Sequence, residues 1–272
     1  MTLVDTNSVE RSTGFSWRPI LWRYAPPVAG IAIVVTLWWF AGLIFETNSR
    51  FAAFRGFTVD RTFAAFVQLV ASGDAWRATA PSLSRVVQGL GWAFVIGAPV
   101  GLAIGTFAFF ERMAQLPFQI LRMVSPLAWM PIAVLAFPSW DGAIVFLITA
   151  AAVWPIVFAT AASVKRIDPL WLAMARNLGG RPFSVLVAVI IPAVAQDILT
   201  GLRLALGVAW IVLVPAEFLG VTSGLGYAIN DARDTLSYDR LAALVLLIGL
   251  IGYVFDAFIS AAVRRTQWTP TA

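Results

Sequence analysis

Six stretches of the chain run almost without charge for the length of a membrane crossing: 28–45, 86–110, 116–137, 143–162, 198–218 and 241–263. Crossing about 30 Å of hydrocarbon takes roughly 20 residues of helix. Backbone groups cannot face lipid unpaired, so runs this long and continuous predict helices rather than barrel strands. The expected fold class is an all-α membrane protein with six transmembrane helices. On that reading 1–25 is a polar N-terminal segment, 26–265 the transmembrane domain and 266–272 a tail.

Weaker periodicities lie between the runs. Phe63, Phe66, Val67 and Val70 fall at i, i+3, i+4 and i+7, the stripe of an amphipathic helix lying on a membrane surface or of a partly solvated connector. Gly97, Gly101 and Gly105 form a doubled G-x-x-x-G on one helix face, suited to a dimer seam or to packing within the subunit. The first 25 residues carry Arg11, Arg18 and Arg23 and lack a small-residue cleavage site after the first apolar run, so no removable signal peptide is expected. With the N-terminus cytoplasmic, ten cations fall on the inside segments and seven on the outside ones. That asymmetry favours both termini inside.

Composition narrows the chemistry. The chain is 60% apolar and 12% charged, without cysteine or histidine. Thiol nucleophiles, disulfides, zinc fingers and Ser-His-Asp triads are thereby excluded, and no metal site is expected. Lys165 is the one lysine and follows Val164, so no G-x-x-x-x-G-K-[ST] phosphate loop exists. The net charge of +5 fits membrane topology better than nucleic-acid binding. An intramembrane hydrolase is disfavoured, because Glu217 and Asp256 fall near opposite ends of their spans and cannot form an acid pair.

The inside loop 165–197 is the most informative segment. Asp168 can cap a helix that Pro169 begins at its first position. Leu170, Ala173, Met174 and Leu178 follow as an apolar edge, and Gly179-Gly180 stops it. A second helical stretch after Arg181-Pro182 meets Pro192, which predicts a bend before the membrane. The short helix suits docking into a partner's groove; a loop that merely re-enters the bilayer is the other reading.

Ala173-Met174-Ala175-x-x-x-Gly179, nine residues, then Val189-x-Ile191-Pro192 resembles the cytoplasmic EAA motif of permease subunits of ABC importers, with complete agreement in spacing. Ala173 replaces the motif's leading acid and Met174 its first alanine. Segments 80–85, 121–131 and 199–207, with Ala216-Glu217 and Gly224-Leu225-Gly226-Tyr227, resemble the nitrate/sulfonate/taurine branch of that family. Phe137-Pro138 stands where Phe-Gly is expected, predicting a different bend at the outer end of the third span. The resemblance implies a type I ABC importer permease fold with a cytoplasmic coupling helix. It implies two cytoplasmic ATP-binding subunits, an extracytoplasmic substrate-binding protein and a second permease copy, most simply a homodimer, in the lipid bilayer of a bacterial plasma membrane. ATP and Mg would reside in the partner ATPase, leaving this chain without a cofactor. Asp168, Pro169, Ala173, Met174, Ala175, Gly179 and Pro192 would then belong to the coupling element.

Ionisable residues inside spans mark function by default. Arg122, Arg203 and Asp256 are expected at one level in the cytoplasmic third, with Asp256 pairing one arginine and the other facing a path for anions; structural staples are the alternative. Ser125 and Trp129 flank Arg122 on that path, and Glu217, at the outer end, is expected to hold the outer loop through its amides or to line an outer gate. Asp231, Arg233 and Asp234, in the glycine-started loop 220–240, are candidates for docking the binding protein. A stand-alone secondary transporter or channel is the alternative function, although the halves show no internal repeat.

Overall fold

The computed structural model describes residues 18–266, and every regular element among them is helical. The order is α1 (Arg18–Thr47), a 3-10 segment (Ser49–Phe57), α2 (Val59–Ala71), α3 (Asp74–Thr106), α4 (Ala108–Leu121), a 3-10 turn (Pro126–Trp129), α5 (Met130–Ala136) and α6 (Trp140–Lys165). There follow α7 (Pro169–Asn177), α8 (Pro182–Val185), a π-helical turn (Leu186–Ile190), α9 (Ile191–Phe218), α10 (Leu225–Asp234) and α11 (Tyr238–Thr266). Of the sequence expectations, Arg11 and the tail 267–272 lie outside the described residues. Five helices are long and apolar enough to cross a membrane, six crossings if α4 and α5 make one broken span.

Helix α6 is the centre of the bundle. Ile144, Leu147, Ile148, Ala152 and Ile156 are all fully enclosed, because α6 is sandwiched between α3 and α9. Glycine permits both approaches. On α3, Gly89, Gly97, Gly101 and Gly105 abut Ile148, Ile156, Thr160 and Val164 respectively. The offset along the sequence is constant, so α3 and α6 run parallel in one register. The doubled glycine motif is therefore an internal packing face. From the other side Gly201 of α9 lies against Ala159 and the Pro155 carbonyl.

Two expected segments differ from the structure. The third apolar run, 116–137, is not one helix: α4 and the stretch Pro126–Ala136 meet at 87°. Pro126 and Pro131 lack the N–H groups that would continue the ladder, and the chain turns at Ser125, whose backbone is extended. The bend expected before Pro192 is instead absorbed within a helical run, Pro182–Phe218. The Ile191 N–H reaches the Leu186 carbonyl, one residue wider than an α-turn. Pro192 has no N–H for the Ala188 carbonyl, and the π-turn accommodates that loss without breaking the axis.

Helix α2 lies across the start of α11 with Thr62, Ala65 and Leu69 buried and Phe63, Val67 and Val70 exposed. Beside it the Tyr238 ring lies 5.7 Å from that of Phe57, the last residue of the 3-10 segment.

Candidate functional site

At one end of the bundle, four elements converge on a buried charge pair. Glu217, in the last turn of α9, has no exposed surface. Its carboxylate accepts from Arg85 Nη1 on α3, from the Ser82 hydroxyl at 2.8 and 2.9 Å to its two oxygens, and from the Gly226 N–H at 2.9 Å. Ser82 in turn accepts the Leu225 N–H at 2.8 Å. Arg85 spends its remaining donors on the Ser223 carbonyl and hydroxyl, both at 2.9 Å, and on Asp141 of α6 at 2.7 Å. A charge enclosed among apolar helices is tolerable when paired and fully hydrogen-bonded, as both are here. Gly224 (φ +113°) lets the loop pass so close to the pair that a Cβ there would lie 2.6 Å from the Arg85 guanidinium and the Glu217 carboxyl. The two amides at the N-terminus of α10 thus bind the cluster, and this clasp fastens the loop 219–224 and α10 to α3, α6 and α9.

Arg85, Ser82 and Asp141 are not among the sequence-based candidates. The signal present was the i, i+3 spacing of Ser82 and Arg85 just ahead of the apolar part of α3, which puts both on one face.

Towards the other end of α9, Arg203 and Asp256 form a bidentate pair between α9 and α11, at 2.7 Å for each bond. Ser260 also approaches the carboxylate, at 3.4 Å. Both side chains remain about half exposed on the flank of the bundle. Arg122, at the end of α4, has no carboxylate partner among the described residues; its guanidinium lies 5.1 Å over the ring of Phe158. Ser125 is exposed and precedes the turn Pro126–Trp129, and Trp129 packs half-buried on the core.

At the opposite end from the clasp, past Lys165, α7 stands out from the bundle. Asp168 accepts the Leu170 N–H at 2.9 Å, Pro169 fills the first position, and Gly179 adopts φ +80°. The Gly180 N–H reaches the Ala175 carbonyl at 3.0 Å and the Gly179 N–H the Arg176 carbonyl at 2.9 Å, the double bond of a Schellman cap. Leu170, Trp171, Met174 and Leu178 are exposed, Leu178 to 87%. Ala173 is exposed and Ala175 half-buried, while Pro192 sits in the first turn of α9. The result is a nine-residue helix, rigid at both ends, with an uncovered apolar edge.

On the clasp end, Asp231 is half-buried in α10, Asp234 is exposed, and Arg233 pairs with Asp234 at 2.8 Å while lying 4.7 Å over the Phe218 ring.

Residues 93–268 match the family model described as the binding-protein-dependent transport system inner membrane component. The chain belongs to that family, the permeases of ABC importers. The permease is 37% identical over 190 residues, 69% of this chain and 68% of the relative, to the bicarbonate transport system permease protein CmpB of Synechococcus elongatus. It is 29% identical over 265 residues, 96% of either chain, to the taurine transport system permease protein TauC of Escherichia coli. It is 34% identical over 193 residues, 71% of this chain and 69% of the relative, to the nitrate import permease protein NrtB of Leptolyngbya laminosa. The permease is therefore a multi-pass membrane protein of all-α fold, and the matched region takes in α4 to α11, with α7, the Arg203–Asp256 pair and Glu217.

Proposed function

We propose that this permease is the non-catalytic transmembrane subunit of an ATP-driven importer for a small anion of the sulfonate, taurine or nitrate class. It works as a homodimer with two cytoplasmic ATP-binding subunits and an extracytoplasmic substrate-binding protein, in a bacterial plasma membrane with both termini cytoplasmic. ATP and Mg are bound by the partner. The observation that carries this reading is α7: a capped, stiff helix whose apolar edge is uncovered among the described residues, at the spacing of the EAA motif. An apolar helix edge standing in water needs a groove to cover it. Seated in a cleft of the ATPase, α7 would pass nucleotide-driven closure to α6 and α9, between which it is strung, and alternating access would follow by rigid-body motion. Arg203 and Asp256 staple α9 to α11 in that motion, and Asp231 and Asp234 offer acidic contacts to the binding protein. Relatives named for bicarbonate, nitrate and taurine support a small, oxyanion-bearing solute.

The test is to purify the tagged chain gently from its native membrane and assay what accompanies it. An ATPase subunit should be recovered in about one-to-one ratio, and Met174→Glu with Leu178→Glu, both exposed and so harmless to folding, should release it. A chain that arrives alone and transports without ATP would overturn the proposal in favour of a secondary transporter.

A further inference from the structure

Helix α4 is amphipathic in the sense opposite to a helix of a soluble protein. Phe109, Met113, Leu116 and Ile120 point outward, each 58–70% exposed. Glu111, Gln115, Gln119 and Arg122 lie on the side facing α6 and line with it an open groove of about 520 Å³. A helix among lipids turns its apolar side to hydrocarbon, and its polar side must then meet protein or water. Here little protein fills the gap, and the polar face borders empty volume. Such a lining requires water or a polar solute.

The ends of the groove differ. At the Lys165 end, Lys165 pairs with Glu111 across the mouth at 2.5 Å, so the two charges cancel. At the other end Phe118 meets Trp154 edge to face at 5.2 Å, and Trp154 stacks on Phe158 at 6.3 Å. Phe118 and Phe158 stand at that end of the groove, and Arg122 lies over Phe158. From Phe158 to Lys165 the helix rises about 10 Å. The lining therefore carries one uncompensated charge, that of Arg122, flanked by two amides able to donate hydrogen bonds. A guanidinium whose nearest partner is a ring face keeps its N–H donors for a planar or tetrahedral oxyanion.

We propose that this groove is a water-filled vestibule holding a small oxyanion at Arg122, with Gln115 and Gln119 as its selecting residues and the Glu111–Lys165 pair as its lip. The site deepens the anion-importer reading and rests on it only for the origin of the solute; the vestibule itself stands on the geometry.

The absence of cysteine makes the test clean. Single cysteines replace Gln119, Ala162, Phe109 or Leu116 in the full chain, in membrane fragments open on both sides, without ATPase or binding protein. Each is reacted with an anionic and a cationic methanethiosulfonate, and rates are normalised to a free thiol. Gln119→Cys and Ala162→Cys should react from water and prefer the anionic reagent by about tenfold, the effect of one cation some 6 Å away across water. That preference should vanish with Arg122→Gln, and Phe109→Cys and Leu116→Cys should stay unreactive. Millimolar nitrate or ethanesulfonate should slow the reaction in vesicles of phosphatidylcholine alone. Silent groove positions, or reaction without charge preference, would overturn the vestibule. Protection seen only with phosphatidylglycerol would overturn the solute site and assign Arg122 to a lipid headgroup. Because no nucleotide enters the assay, its failure would leave the importer reading untouched, and loss of the ATPase partner would leave the vestibule standing.

Discussion

Replacing Arg85 by methionine should be the most damaging single change at the clasp, and the reason lies in the asymmetry of its two acids. Asp141 is largely exposed and can turn to water, whereas Glu217 is fully enclosed. Arg85→Met leaves the Glu217 charge with only the Ser82 hydroxyl and the Gly226 N–H. Removing one member of a buried pair costs about 3–5 kcal/mol. Glu217→Met should cost less, because Arg85 keeps Asp141 and both Ser223 acceptors. The double variant removes both charges and leaves the Gly226 N–H and the Ser82 hydroxyl short of a partner, about 1–3 kcal/mol. It should therefore be more stable than Arg85→Met by about 2 kcal/mol, roughly thirtyfold in the unfolding equilibrium. The assay is reversible titration of the purified permease from mild micelles with SDS, following tryptophan fluorescence and helical circular dichroism. Costs that simply add, or singles indistinguishable from the parent protein, would refute the clasp as a coupled unit.

Gly101→Leu should prevent accumulation of folded protein, since even a Cβ at that site would stand 2.7 Å from the Val157 carbonyl and 2.6 Å from Thr160; Gly91→Ala, with open space around it, should leave yield and thermal stability within about 1 kcal/mol. Gly180→Ala, whose Cβ would meet the Ala175 carbonyl at 2.6 Å, should fray the end of α7 and uncouple ATP hydrolysis from uptake; a fully coupled variant would show that the Schellman cap is dispensable. Asp256→Asn should impair uptake, and adding Arg203→Gln should partly restore it; a double variant worse than the single would sink the pairing as the relevant interaction. Asp231→Lys with Asp234→Lys should weaken stimulation by the binding protein while basal ATPase activity holds, and loss of both activities together would count against docking at α10.

Much of the architecture could be read from hydropathy because lipid imposes a strong, one-dimensional rule: four of the six apolar runs fall inside single long helices, while 86–110 overruns the end of α3 at Thr106 and 116–137 is broken between α4 and α5. The helix ends could not. Helix α3 begins at Asp74, well before its apolar stretch, because Thr79, Ser82 and Arg85 are polar residues that face protein rather than water. The length of a run reports contact with hydrocarbon, not the length of the helix. The caps of α7 were legible in Asp168-Pro169 and Gly179-Gly180 because capping is local chemistry. The 87° break was half legible: the prolines mark where a ladder fails but not the angle at which the next helix sets off. The Arg85–Glu217 contact was hidden entirely, since the two residues stand 132 positions apart and nothing local to either one names its partner. The empty space beside α4 was likewise out of reach. A polar stripe of Glu111, Gln115, Gln119 and Arg122 reads the same whether it faces open solvent or lines a groove against α6.

The constant register between α3 and α6 also settles where this molecule cannot bend. Gly89, Gly97, Gly101 and Gly105 on α3 are each a notch cut to the depth of one particular side chain on α6. Shift the helices by a single residue and every notch swings away from its tooth, setting side chain against side chain over more than four turns. The hydroxyl of Thr149 on the Gly89 carbonyl at 3.2 Å and the clasp at the end pin the same alignment. Packed interiors of this kind have discrete arrangements rather than a continuous range. The two helices must travel as one plank, and any change of shape is left to the hinge around Ser125 and Pro126 and to the wide turn before Pro192.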